Sequence, residues 1–172
     1  ETSPINYGTT FRVDTNCTST YTIYRNGTSI GNGSAQNLAS GTYNFTVIRA
    51  DKTNYTNYYE SRTFQVDKAT TTLSITGTSP ITYGTTSDFT GINCPAQLAG
   101  SCNFNETNKV FGVGTILFNY STVGNENYTA NWTVKPLDVN QNSESFNIFT
   151  NTSSPVTYPT AFKVYSNSTS TF

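Results

Sequence analysis

The stretch SPINYGTT at residues 3–10 returns as SPITYGTT at residues 79–86, with seven of the eight residues identical. A third version, SPVTYPT, occupies residues 154–160, so successive copies begin 76 and then 75 residues apart. A second landmark keeps a similar offset, because GT at positions 41 and 42 and NYT from position 54 both recur 73 residues later. Two independent landmarks with nearly one period predict a tandem array of structural units.

Apolar side chains stand at every second position of residues 43–47 and of residues 116–120, with mostly polar residues between them. An alternation with a period of two is typical of a strand that buries one face. Trp132 and Val134 alternate in the same way, so we expect Trp132 to be buried and the neighbouring Asn131 to face solvent. The sequence therefore predicts an all-β fold of β-sandwich units of about 75 residues, without a helix of useful length.

Turn signals separate these runs, and the clearest is Arg25-Asn26-Gly27-Thr28. A two-residue type I′ turn needs positive φ at both central residues, and Asn followed by Gly tolerates that conformation. The first unit is therefore expected to contain a tight β-hairpin at this point.

The landmarks also divide the chain into units. Residues 69–75 precede the second SPxxYGTT and are interpreted as the first strand of the second unit, and residues 145–149 have that role in the third. We therefore divide the chain into residues 1–68, a unit without its first strand, residues 69–142, a complete unit, and residues 143–172, the start of a third unit or a donated segment.

These residues resemble a known kind of protein. The SPxxYGTT motif, the IYRNGTSI hairpin, the SGTYNFTV strand, the NYT after it and the VDKATTTLSI linker are similar to bacterial-type Ig-like repeats of very long surface proteins in small-celled archaea of the DPANN group. The resemblance implies an extracellular tandem array of Ig-like β-sandwiches that serves as a stalk, an adhesin or a filament. The second unit departs from the pattern, because a loop from Cys94 to Cys102 replaces the RNG hairpin.

The inventory of side chains excludes several functions. The chain has no His, which removes imidazole general bases and His-bearing metal sites, so we predict neither an enzyme nor a cofactor. Nine Lys and Arg against ten Asp and Glu form no basic patch for nucleic acid or for a membrane surface. No apolar stretch is long enough to span a bilayer.

Acceptors for N-linked glycans, of the form Asn-x-Ser/Thr, are frequent. Eleven occur where chance would give about six, although Asn and Thr also favour turns and exposed strand faces without any sugar. A sugar coat would keep a surface in solution when only 11% of the residues are charged. The predicted sites are Asn16, Asn26, Asn32, Asn44, Asn54, Asn105, Asn119, Asn127, Asn131, Asn151 and Asn167.

Cys94 and Cys102 are eight residues apart, and the loop between them is long enough to turn back on itself. We favour a disulfide over a metal site, which would need more thiolates or an imidazole, and over a reactive thiol, which would need a base. Cys17 is left over, and the sequence leaves open whether it pairs with another unit or chain or stays a buried thiol.

The carboxylates are scattered, so we predict neither a calcium site nor a pair of catalytic acids. Asp67 and Asp138, which lie near the ends of the first two units, leave open a cation site between units. Tyr55 and Tyr128, the tyrosines of the NYT motifs, are expected to donate a tyrosine-corner hydrogen bond within a sandwich rather than to stack on a sugar.

Two functions fit these features. The first is a non-catalytic structural component of an extracellular, glycosylated stalk or filament at the cell surface, with copies of itself or adjacent repeats as partners. The alternative is an adhesin module that binds carbohydrate or protein on another cell.

The first unit also bears on whether neighbouring chains assemble by exchanging a strand. The chain opens at Glu1 without Met, so we interpret it as a piece of a longer or processed polypeptide. If it does begin there, the first unit lacks the counterpart of residues 71–75 and presents an open edge and an apolar groove to strand addition. Residues 145–149 of a neighbouring subunit would then complete it, whereas a polypeptide that continues at both ends would close each unit on itself.

Overall fold

The computed structural model describes residues 2–18, 20–49, 56–143, 148–151 and 153–166. In these ranges every regular element is a β-strand except for one turn of 3₁₀ helix at Ala96–Leu98, and the all-β prediction is confirmed. The strands are β1 (Ile5–Asn6), β2 (Phe11–Arg12), β3 (Thr22–Arg25), β4 (Thr28–Ile30), β5 (Ala35–Gln36), β6 (Gly41–Arg49), β7 (Tyr58–Asp67), β8 (Ser74–Thr76), β9 (Ile81–Thr82), β10 (Thr90–Ile92), β11 (Cys102–Phe104), β12 (Gly114–Thr122), β13 (Asn131–Asn140), β14 (Ile148–Thr150) and β15 (Val164–Ser166).

The first large sheet lies within residues 5–67 and has the strand order β1-β7-β6-β3-β4. Its centre is the long antiparallel pair of β6 and β7, in which Gly41 lies opposite Val66. β1 pairs in parallel with the other edge of β7, and Ile5 lies opposite Val66. The first and last strands of this region are therefore neighbours.

The second large sheet lies within residues 81–140 and has the order β11-β12-β13-β9. Gly114 of β12 lies opposite Val139 of β13, and β9 pairs in parallel with β13, with Ile81 opposite Val139. β12, β13 and β9 therefore pair as β6, β7 and β1 do. Among the described residues of the second region, no strand pairs with β11 as β4 pairs with β3. The loop from Cys94 to Cys102 precedes β11, whereas the hairpin turn follows β3, so the expectation that this loop replaces the hairpin is wrong.

Smaller strand pairs cover the large sheets, since β2 pairs with β5 and β8 pairs with β10, both antiparallel. In the second region, Leu73 and Ile75 from β8 and its flank share one apolar core with Phe118 and Leu137 from the large sheet. The first region has a core that includes Phe11 of β2 together with side chains of β6 and β7. Sheets that share a core in this way are compatible with β-sandwiches.

The predicted hairpin at Asn26 and Gly27 is present. β3 and β4 pair with Arg25 opposite Thr28, and φ is 47° at Asn26 and 82° at Gly27. Positive φ at both central residues defines a type I′ turn, which confirms the prediction. Asn26 also ties the hairpin to β6, because its Oδ1 accepts the N–H of Asn44 at 2.8 Å.

Each copy of the SPxxYGTT motif forms a tight turn around its Tyr. Gly8 and Gly84 follow the Tyr in the first two copies with φ of 90° and 94°, a conformation that favours glycine. Three hydrogen bonds close the turns: Thr9 N–H to Asn6 O at 3.1 Å, Thr85 N–H to Thr82 O at 3.0 Å and Thr160 N–H to Thr157 O at 2.9 Å.

Residues 148–166 include a separate antiparallel hairpin of β14 and β15, in which Ile148 lies opposite Ser166. β8 and β10 pair in the same register 74 residues earlier, with Ser74 opposite Ile92. Most of the strand expected at residues 145–149 lies outside the described residues.

Candidate functional site

The structure separates the predicted glycan acceptors by their exposure. Asn119, Asn127 and Asn131 are half-buried, and Asn54 and Asn167 lie outside the described residues. The other predicted acceptors are exposed: Asn16, Asn26, Asn32, Asn44, Asn105 and Asn151. A glycan needs solvent around its amide nitrogen, and the Nδ2 of Asn105 donates to the carbonyl of Leu117 at 3.0 Å, so the other five are the accessible candidates.

Asn131 is held by its own hydrogen bonds. Its Nδ2 donates to the carbonyl of Thr71 at 2.5 Å, and its Oδ1 accepts the N–H of Trp132 at 2.8 Å. Trp132 itself is 68% exposed, so the prediction that it is buried is wrong. The cause lies further along β13, where Leu137 and Val139 enter the core and a period of two places the odd-numbered residues inward.

The disulfide between Cys94 and Cys102 is present, with the two Cα atoms 6.3 Å apart. The loop that it closes contains the 3₁₀ turn, which buries Leu98 to 2% exposure. The bond thus joins the segment just after β10 to the start of β11. Cys17 lies in the first region, is half-buried, and donates its backbone N–H to Thr15 Oγ1 at 3.2 Å.

Within the described ranges, no three His, Cys, Asp or Glu side chains lie close enough together to hold a metal ion. The Oδ1 of Asp67 accepts a hydrogen bond from Gln65 Nε2 at 3.3 Å, and that of Asp138 accepts one from Thr115 Oγ1 at 2.6 Å. These two carboxylates lie on different sheets, so the structure does not bring them together.

Asp88 joins two loops of the second region. One of its carboxylate oxygens accepts the N–H of Thr78 at 2.7 Å, and the other accepts Thr78 Oγ1 at 2.9 Å. These bonds, the backbone bond first, hold the pKa of Asp88 below its ordinary value of 3.8, because they favour the charged carboxylate. The contact ties the segment after β8 to the segment before β10.

The segment that connects the first region to the second is itself hydrogen-bonded. Lys68 follows directly after β7, and Ala69 already forms a parallel bridge with Tyr128. The N–H of Ala69 donates to the carbonyl of Asn127 at 2.9 Å, and its carbonyl accepts the N–H of Thr129 at 3.0 Å. We call the contacts between residues 2–68 and residues 69–140 the junction.

Two further hydrogen bonds hold the junction. The side-chain Oδ1 of Asn127 accepts the backbone N–H of Ser40 at 2.8 Å. The ammonium of Lys68 donates to the carbonyl of Asn125 at 2.8 Å. The turn before β6 and the end of β7 are therefore both attached to the loop between β12 and β13.

A pair of aromatic rings completes the junction, because Tyr7 of the first SPxxYGTT meets Tyr128 of the second NYT with ring centroids 5.4 Å apart. The hydroxyl of Tyr128 donates to Gln97 Oε1 at 3.3 Å, so the expected tyrosine-corner bond to the backbone is not what this side chain makes. Tyr43 instead donates its hydroxyl to the carbonyl of Ala39 at 2.9 Å. Tyr55 lies outside the described residues.

The junction is the candidate functional feature that sequence reasoning missed. Both of its tyrosines stand in motifs that recur along the chain, and that recurrence is the signal that could have directed attention to them. Motifs that keep one spacing in every unit are candidates for contacts between units as well as within them.

No protein-family model matches the chain, and neither a curated protein nor a solved structure is significantly similar to it. In the part of the chain that the structure describes, no helix has the length and the apolar character needed to cross a membrane. The class of protein is therefore inferred from the geometry of the junction and the surface.

Proposed function

We propose that this chain is part of a tandem array of Ig-like β-sandwiches that forms an extracellular, glycosylated stalk or filament, with a structural and non-catalytic role. Its units are residues 1–68, 69–142 and 143–172, and its partners are adjacent repeats or copies of itself. The junction carries this proposal, because a stalk keeps its length only if neighbouring units are held at a fixed angle.

Matched contacts in the two large sheets support the tandem array. Ser3 Oγ accepts the N–H of Gln65 at 2.7 Å, and Ser79 Oγ accepts the N–H of Asp138 at 3.0 Å. Both serines open an SPxxYGTT motif, and both residues that donate the N–H lie two residues before the end of a long strand. The same attachment of the first edge strand is thus built twice along one chain.

The composition of the junction supports a stiff connection. Ser40 and Lys68 each donate a hydrogen bond to the loop between β12 and β13. A ring pair such as that of Tyr7 and Tyr128 contributes about 0.5 to 1.5 kcal/mol beyond the area it buries. Ala69 is bonded on both its N–H and its carbonyl, so the short connection is not a flexible spacer.

The far end of the second region has a surface that suits a further junction. A cavity of about 510 Å³ there is lined by Val113 and Asp138 among others. Val113 holds the position of Ser40, and Tyr83 holds that of Tyr7; their exposed fractions are 55% and 52%. A third unit placed like the second would cover these side chains.

The surface chemistry supports a location outside the cell. A disulfide such as Cys94–Cys102 persists in oxidising compartments and is rare in reducing ones. Six predicted glycan acceptors are exposed, among them Asn32 in the loop between β4 and β5. Sugars on these sites would hydrate a surface that has few charges.

Electron cryo-tomography of source cells, with an antibody fragment raised against the 172-residue chain, tests this proposal. We expect the label at regular intervals along projections outside the cell envelope. Label restricted to the tips of projections would favour the adhesin alternative, and label inside the cell would contradict both functions. An unrelated antibody fragment of the same format is the control.

A further inference from the structure

A groove of about 970 Å³ opens on one face of the first large sheet, beside residues 13–17. Phe45 and Phe64 contribute to its floor, edge to face, with ring centroids 6.2 Å apart. These two residues hold the positions of Phe118 and Leu137 in the second large sheet. Leu137 is 0% exposed, whereas Phe64 is only half-buried.

The second region shows what fits on this face of the sheet. There, β8 and its flank cover the floor, and Leu73 and Ile75 are each 9% exposed in a core with Phe118 and Leu137. β8 lies antiparallel to β10, and residues 13–15 are the counterpart of β10 in the first region, because Asn16-Cys17 then matches Asn93-Cys94. The groove is therefore the place that a strand such as β8 occupies one repeat later.

The residues that line the groove include a cationic side chain, Arg62. In the second region, Lys135 donates from its ammonium to the carbonyl of Gly77 at 2.8 Å, just beyond the end of β8. Arg62 holds the matching position on β7, where its side chain is 84% exposed and pairs with Glu60 at 3.0 Å. An exposed ion pair of this kind contributes little free energy, so the guanidinium can turn to a carbonyl of an incoming strand.

The groove also has the shape for a strand. In the second region, Gly91 of β10 makes room for Tyr120, since a Cβ at Gly91 would lie 2.4 Å from the ring. The matching residues of the first region are Asp14 and Val47, and both line the groove. The residue that replaces Gly91 is larger and the residue that replaces Tyr120 is smaller. The two changes in volume offset each other, so the space for an added strand is kept.

We propose that this groove binds an extended strand of the same type as β8, added antiparallel to residues 13–15. The occupant is a peptide segment with Leu or Ile at alternate positions and Ser or Thr between them, as in residues 71–76. Its apolar side chains lie on Phe45 and Phe64, and Arg62 donates to a carbonyl at its end. Backbone hydrogen bonds along such an edge supply affinity, and the apolar floor selects the pattern of side chains.

A fluorescent peptide with the sequence ATTTLSITGT, residues 69–78 of this chain, tests the proposal when it is added to the 172-residue protein. We expect saturable binding, together with shifts in the amide NMR signals of residues 13–17 and of β6. The matched control is the same peptide with Asp in place of its Leu and Ile, which should not bind. No saturation up to about 1 mM peptide, or shifts only at other residues, would overturn the proposal.

The same titration tests whether a second copy of this chain supplies the strand. In that case the protein self-associates, and the added peptide dissociates the oligomers because it competes for the groove. Self-association that the peptide leaves unchanged, without shifts at residues 13–17, would overturn the proposal. Sedimentation velocity with and without peptide distinguishes the two results.

Substitution of Arg62 tests the hydrogen bond that it is proposed to donate to the added strand. Arg62→Ala is expected to weaken peptide binding about tenfold, because a charge-assisted hydrogen bond is lost. Lys109→Ala removes a cation from a comparable exposed ion pair with Glu106 in the second region, and should leave binding unchanged. Both side chains are largely exposed, so neither change is expected to unfold the chain. Equal binding by Arg62→Ala and the unchanged protein would contradict the contact.

Discussion

The ring of Tyr128 meets the ring of Tyr7 edge to face, with centroids 5.4 Å apart and planes inclined at 78°. One ring belongs to the turn that opens the first region, and the other to the loop between β12 and β13. Because the connecting residues Lys68 and Ala69 are themselves bonded, packed side chains and backbone bonds together determine the angle between the two regions.

Replacing Tyr128 with Ala is expected to loosen the junction while each region stays folded. The lost ring pair contributes about 1 kcal/mol, which would expose the Lys68–Ala69 bond more often. Limited digestion with trypsin measures this, and we expect roughly fivefold faster cleavage after Lys68.

Tyr83→Ala is the matched control, because Tyr83 holds the position of Tyr7 in the second motif and is 52% exposed. Its cleavage rate after Lys68 should equal that of the unchanged protein. Equal rates for Tyr128→Ala and the unchanged protein would show that the ring pair does not hold the junction.

Opening the disulfide is expected to destabilise the second region. Cys94→Ser together with Cys102→Ser removes a loop constraint, which lowers the free energy of unfolding by about 2.5 to 3 kcal/mol in the chain-entropy model. Urea denaturation monitored by the fluorescence of Trp132 measures the change. Reductant should reproduce it in the unchanged protein and have no effect on the double variant. An unchanged midpoint in both cases would refute this expectation.

Glycan occupancy should follow the hydrogen bonding of each acceptor. We expect sugar on Asn32, which is exposed, and none on Asn131, whose Nδ2 donates to the carbonyl of Thr71. Mass spectrometry of glycopeptides from native material gives the occupancy of each site. Full occupancy at Asn131 with a bare Asn32 would contradict the ordering, and a mass of 18.8 kDa for the segment would exclude glycans altogether.

Asp88 is expected to make stability depend on pH. Its folded pKa lies below 3.8, so its contribution is present above the unfolded pKa and is lost as the pH falls through the folded value. The free energy of unfolding should therefore decrease on acidification below about pH 4. Asp88→Asn should show a smaller decrease over that interval, as chemical denaturation at several pH values would reveal. Parallel curves would contradict the assignment.

Local features were predictable because neighbouring residues determine them. The turn at Asn26 and Gly27 needs only positive φ, and the disulfide needs only a loop that returns. The face of Trp132 was not predictable from its side chain, since Leu137 and Val139 further along β13 determine which side is buried. The contact of Tyr128 with Tyr7 joins residues far apart in sequence. The recurrence of their motifs marks both residues as candidates for contacts, but it does not show which residue pairs with which.

Residual dipolar couplings of backbone amides in a weakly aligned sample of the 172-residue chain measure the orientation of the two regions most directly. If the junction holds them as one body, a single alignment tensor fits the amides of β6 and β7 together with those of β12 and β13. Two tensors of clearly different magnitude would mean that the regions move independently, and the stalk proposed here would lose its stiffness.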